Sequence, residues 1–202
     1  MRLLLRDGDS KGRCGGTLVA SKYVITAAHC MVNRTASQDE DTIEIPFFTA
    51  NEVLIRIGEH DFDVEGETFL TPETVNVRRI INHPLYREDI IEDEDGLPLA
   101  PPFDISILEL EEELDLSVYT PACMATSTDA TTFDGNIATV AGWGSIRDPD
   151  PAGPFPPDPF VPHEVDIPVI ASAECKHSRS EPSIICAGIR EGGRDSCQVN
   201  HK

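Results

Sequence analysis

Cys14-Gly15-Gly16-Thr17-Leu18-Val19-Ala20-Ser21-Lys22-Tyr23-Val24-Ile25-Thr26-Ala27-Ala28-His29-Cys30 is the stretch on which the chain's fold turns. Two adjacent glycines let backbone segments approach closely, because neither carries a Cβ. Ala27 and Ala28 leave room around the imidazole of His29. A histidine beside a cysteine, taken alone, fits a metal ligand, a packed core residue or a catalytic base. What surrounds it chooses among these.

Outward from this stretch, short segments alternate between apolar and polar residues. Val53, Ile55 and Ile57 are spaced two apart, and Val75 and Val77 sit between Thr74, Asn76 and Arg78. Ile105 and Ile107 flank Ser106, and Val165 and Ile167 alternate with Glu164 and Asp166. Period two predicts strands that turn one apolar face inward and one polar face to water. No long window carries a helical period. Many short strands with turn signals between them predict an all-β barrel or sandwich. The connections are polar. Residues 86–102 carry Glu88, Asp89, Glu92, Asp93, Glu94 and Asp95, then three prolines. Residues 145–162 hold seven prolines, a donor-poor composition that suits an extended surface loop. A linker over residues 111–120 is expected to divide the chain into halves.

The 202 residues carry a net charge of −20, from 36 acidic and 16 basic side chains. That charge argues against nucleic acid, whose phosphates need Lys and Arg, and suits cationic partners. No run approaches the ~18–20 apolar residues that span a bilayer, so no membrane partner is expected. Leu3-Leu4-Leu5 falls short of the ~7–15 residues of a signal-peptide core, so either the chain is cytosolic or its natural start lies elsewhere. Six cysteines, Cys14, Cys30, Cys123, Cys175, Cys186 and Cys197, form no Cys-x-x-Cys pair. Their wide spacing reads as disulfides in an oxidising compartment rather than structural zinc. Asn33-Arg34-Thr35 is an N-glycosylation sequon at Asn33. The six histidines include no His-Glu-x-x-His spacing, which counts against a metal-dependent enzyme.

The stretch from Cys14 to Cys30 resembles the signature around the catalytic histidine of the trypsin/chymotrypsin family of serine proteases, peptidase family S1. Other motifs follow in the family's order. Phe103-Asp104-Ile105-Ser106-Ile107-Leu108 resembles the strand that carries the triad aspartate, and Ala141-Gly142-Trp143-Gly144 the family's Gly-Trp-Gly turn. Val165-Asp166-Ile167-Pro168-Val169, then Ile185-Cys186-Ala187-Gly188, then Arg194-Asp195-Ser196-Cys197-Gln198 complete the series. The resemblance covers essentially the whole chain. It implies a chymotrypsin-like double six-stranded antiparallel barrel, with residues 1–115 forming the first barrel and 116–202 part of the second.

By this resemblance His29 is the general base and Asp104 the carboxylate that fixes its tautomer. Asp195 aligns with the acid at the base of the primary specificity pocket, which implies cleavage of polypeptides after Arg or Lys. Cys14–Cys30 and Cys175–Cys186 match family disulfides. Cys123 resembles the cysteine that tethers a propeptide, and Cys197 is expected to pair beyond this chain. Protein protease inhibitors are further implied partners, and the implied location is secreted. Residues 59–67 resemble the calcium loop of many trypsins, with Glu59 and one of Glu65 or Glu67 as ligands; the alternative is an acidic surface hairpin. No cofactor is required for the chemistry.

The chain departs from the family after Gln198, where Gly-Asp-Ser-Gly-Gly-Pro is expected and Val199-Asn200-His201-Lys202 stands instead. His201 occupies the place of the nucleophilic serine and Val199 that of an oxyanion-hole glycine. The family's Ile-Val-Gly-Gly start is absent too. The expectation is a domain truncated at both ends, a partial product of a secreted protease, inactive as it stands. The alternative is a non-catalytic protease homologue that serves as a binding or regulatory module.

Overall fold

The computed structural model describes residues 1–6, 14–34, 46–64, 70–87, 101–126, 130–144, 159–175 and 184–189. Nine strands run through them: β1 (Arg2–Leu5), β2 (Cys14–Gly15), β3 (Thr17–Ala20), β4 (Tyr23–Thr26), β5 (Val53–Ile57), β6 (Glu73–Asn82), β7 (Ser106–Leu110), β8 (Ile137–Gly142) and β9 (His163–Pro168). The helical turns among the described residues are three short 3-10 segments, Ala28–Met31, Ala50–Glu52 and Ala130–Phe133. None is long and apolar enough to cross a membrane. The architecture is all-β, as the alternation predicts.

These elements fall into two compact units, one built from Met1–Gly58 and Pro72–Met124, the other from Glu59–Thr71 and the chain from Ala125 onward. The first holds a seven-stranded sheet in the order β2-β1-β5-β6-β7-β4-β3, every pairing antiparallel. Its two end strands, β2 and β3, are separated only by Gly16. Read through that glycine they are one bent strand, and the sheet curls into a nearly closed six-stranded barrel. Gly16 donates its N–H to Met1 O at 3.0 Å. A Cβ at this corner would lie 2.8 Å from Val24 Cγ1 and 3.2 Å from Leu3 Cδ1, so only glycine lets the strand turn here without displacing the core.

The barrel interior is filled by alternate residues of each strand. Val53, Ile55 and Ile57 on β5 are 1%, 0% and 1% exposed, which is the inward face the spacing predicts. Leu3 packs with them from β1, and Leu18, Val24, Val77 and Met31 belong to the same cluster. Strand β7 reverses the sequence expectation. Ser106, Leu108 and Leu110 face inward while Ile105 and Ile107 are exposed. Leu108 and Leu110, both 0% exposed, fill the core from this strand; a one-residue slip would turn both leucines to water. The buried Ser106 hydroxyl is satisfied by donating to Asn82 Oδ1 at 2.5 Å, which removes the cost of placing it inside. Glu109 is buried for a related reason. A register shift between Val77 and Arg79 on β6 brings two successive arginines to one carboxylate. Arg79 meets it at 2.8 Å and Arg78 at 3.5 Å.

After β7 the chain stays on the first unit. Leu114 N–H donates to Ser21 O and Ala122 N–H to Leu18 O, both at 2.8 Å. In the second unit β8 and β9 pair antiparallel, and β9 alternates as expected, with Ile167 buried and Glu164 and Asp166 exposed. Trp143 donates its indole N–H to His60 O at 3.1 Å and packs on the Phe62 ring at 5.1 Å. Cys175 and Cys186 are joined by a disulfide, beside the Val169–Ala187 bridge.

Candidate active site

His29 lies on the 3-10 turn Ala28–Met31 that follows β4. The local sequence builds the turn in stages. Thr26 ends the strand with its hydroxyl donating to Gly15 O at 2.9 Å. Ala27 remains extended, and Cys30 N–H then returns to Ala27 O. Cys30 is buried and bonded to Cys14 on β2, so the turn is tied to the opposite end of the sheet order. Ala28, fully buried, and Val32 pack with Tyr86 in a small cluster of their own. The imidazole is left partly exposed, at 37% for the side chain.

Asp104 stands two residues before β7, whose pairing with β4 aligns Thr26 with Ser106. This pairing places the start of one strand beside the end of the other, and so brings residues 75 positions apart together. Asp104 Oδ2 lies 2.6 Å from His29 Nδ1, and Oδ1 accepts the His29 backbone N–H at 2.8 Å. Ala28 contributes a further backbone hydrogen bond. Burial pushes the Asp104 carboxyl upward, but the hydrogen bonds and charge of His29 together outweigh it and hold the group below its ordinary value. A carboxylate only accepts, so the Nδ1 atom of a neutral imidazole carries the proton and Nε2 is the basic nitrogen. Nε2 lies 3.5 Å from Cys30 Sγ.

Cys14, His29 and Cys30 also bring potential metal-ligand atoms within 4.8 Å of one another. The two sulfurs are bonded to each other, and a metal binds thiolate, so this donor set does not fit a metal centre. The arrangement suits proton transfer: a base with one nitrogen oriented by an ionised, half-buried carboxylate.

The remaining sequence-derived sites are distributed as follows. Asn33 is described, its backbone N–H donating to Pro46 O at 2.7 Å. Cys123 is a free, exposed cysteine. Glu59 is described in the second unit, whereas Glu65, Glu67, Asp195, Cys197 and the acidic loop from Glu88 lie outside the described residues. One contact beside Asp104 is not signalled by its motif, the stacking of Phe103 on His83 with ring centroids 4.7 Å apart. Only His83-Pro84 gives a local hint, since a residue before proline is biased toward extended backbone.

Residues 3–200 match the family model described as Trypsin. The chain is 31% identical over 200 residues to Serine protease filzig of Drosophila melanogaster, an alignment covering 94% of this chain and 10% of that protein. It is 31% identical over 197 residues to Venom serine protease Bi-VSP of Bombus ignitus, covering 92% of this chain and 45% of the relative. It is 27% identical over 189 residues to Trypsin-3 of Salmo salar, covering 92% and 63%. A barrel that presents a histidine held by an aspartate defines the class, and the match across nearly all residues defines the family: the chain belongs to the trypsin family of serine proteases. It spans only part of the length of each of these relatives.

Proposed function

We propose that these residues are the base-bearing part of a secreted serine endopeptidase that cleaves polypeptides after Arg or Lys. The observation that carries this reading is the double contact of one carboxylate with His29, through Nδ1 at 2.6 Å and the backbone N–H at 2.8 Å. In the proposed reaction a serine hydroxyl oxygen bonds to the scissile carbonyl carbon while its proton passes to His29 Nε2. Asp104 stabilises the imidazolium. The proton then goes to the leaving amine as the peptide C–N bond breaks. Water, deprotonated by the same nitrogen, releases the acyl group and restores the serine. Asp195 supplies the carboxylate that selects a cationic side chain. Cys123 carries a tethered propeptide, Asn33 a glycan, and Glu59 with Glu65 or Glu67 a structural calcium; protein inhibitors compete with the substrate.

On these 202 residues alone His201 stands where the family has its serine, so they are proposed not to hydrolyse peptides unaided. A non-catalytic binding role is favoured by that same observation and by nothing else. Two measurements test the reading. A fluorophosphonate should give no adduct with the 202-residue chain by intact mass; one adduct per chain would refute the assignment of the missing nucleophile. A fusion in which residues 1–198 are flanked by the mature N-terminal start and the remaining C-terminal part of Trypsin-3 of Salmo salar should hydrolyse Arg and Lys amides, and Asp195→Ser should abolish that preference. Equal hydrolysis of Phe amides by the unmodified fusion would refute the specificity.

A further inference from the structure

Asp104 sits at the apex of a three-residue turn closed by Ile105 N–H, which donates to Phe103 O at 2.7 Å. On the near side of the turn Phe103 has φ of +56°, the left-handed region that bulky side chains avoid. A residue persists in such a conformation only when its surroundings hold it there, and this strain adjoins a functional carboxylate. One residue makes contacts on both sides of the turn. The His83 ring lies parallel to the Phe103 ring, with centroids 4.7 Å apart and planes 5° from parallel. The His83 backbone N–H donates to Ile105 O at 3.1 Å. His83 is itself fixed. Its Nδ1 accepts Leu85 N–H at 3.2 Å, and its carbonyl accepts Tyr86 N–H at 3.0 Å. The preceding residue, Asn82, holds the Ser106 hydroxyl. The end of β6 thus grips residues 103, 105 and 106 and leaves Asp104 projecting between them.

We propose that His83 is a positioning residue for Asp104: its ring on Phe103 and its N–H on Ile105 hold the carboxylate where it can contact both His29 atoms. This deepens the reading of His29 and Asp104 as base and orienting carboxylate, and rests on it. The two oxygens meet groups at 2.6 and 2.8 Å. Rotation of the turn that satisfies one contact would lengthen the other, and hydrogen bonds weaken steeply with distance and angle. Holding such a pair to within about 0.5 Å requires neighbours that are themselves locked.

The test follows the His29 Nδ1 proton by NMR in the 15N-labelled 202-residue chain. The wild type should show a low-field proton coupled to His29 Nδ1. His83→Ala should lose it by exchange with water, and His83→Phe, which keeps a stacked ring and the backbone N–H, should retain it. Phe103→Gly gives a second route: glycine accepts the left-handed backbone, so the variant is expected to fold, but the stack is gone and the proton should be lost. Circular dichroism and an intact Cys14–Cys30 bond identify folded variants. Retention of the signal in folded Phe103→Gly or His83→Ala, or its loss in folded His83→Phe, would overturn the proposal. Absence from the wild type would overturn the His29–Asp104 reading itself, and the proposal with it.

Discussion

One carboxylate, that of Asp104, holds both the ring and the main chain of His29, at 2.6 and 2.8 Å. The ring contact sets the tautomer. The main-chain contact fixes the turn from which the ring projects. Loss of Asp104 therefore disturbs both the chemistry and the local fold.

Asp104→Asn exposes this double role. The amide oxygen can accept the His29 backbone N–H while its NH2 donates to Nδ1, which fixes the opposite tautomer and leaves the proton on Nε2, so that this nitrogen no longer acts as the base. In the Trypsin-3 fusion, kcat should fall by about 10⁴-fold, the order found when a triad aspartate becomes asparagine. The pH dependence follows from the lowered Asp104 pKa. A carboxyl held below its ordinary value contributes stability above the ordinary carboxylate range, and that contribution is lost as pH falls through the lowered value. Thermal unfolding should therefore show wild type above Asp104→Asn at neutral pH, with the gap closing as pH is taken down to about 2. A gap that widens on acidification would contradict the assignment.

The Cys14–Cys30 bond closes a loop with a sequence separation of 16. Its loss in Cys14→Ser/Cys30→Ser should destabilise the first unit by about 3 kcal/mol, mainly by freeing the unfolded chain. Denaturant titration measures this as a lower midpoint. The same variant should broaden the His29 resonances, because Cys30 anchors the turn.

Gly16→Ala tests the closure of the barrel. Its Cβ would lie 2.8 Å from a methyl of Val24, which is 0% exposed and stiff at χ1. The expected cost is about 1–3 kcal/mol. Gly16→Ala/Val24→Ala should recover part of it, whereas an additive loss would show that the contact does not limit the site.

These residues also show what was legible in the sequence. His29 and its disulfide stood in one contiguous signature, and the inward faces of β5 and β9 stood in simple alternation. Strand β7 was misread because the polarity of Ser106 is answered by Asn82, 24 positions away, a partner no local pattern reveals. The grip of His83 on Phe103 was hidden for a similar reason. Left-handed backbone is signalled by glycine or asparagine, not phenylalanine, and only tertiary contacts can impose it. The grouping of Glu59–Thr71 with the second unit is likewise non-local, carried by Phe62, His60 and Trp143, the last two 83 positions apart.

The most direct measurement is kcat/KM for an arginine amide with the Trypsin-3 fusion, before and after His29→Ala. If His29 is the base oriented by Asp104, kcat should fall by about 10⁴–10⁶-fold, with KM little changed. Hydrolysis by His29→Ala within tenfold of the unmodified fusion would contradict the account.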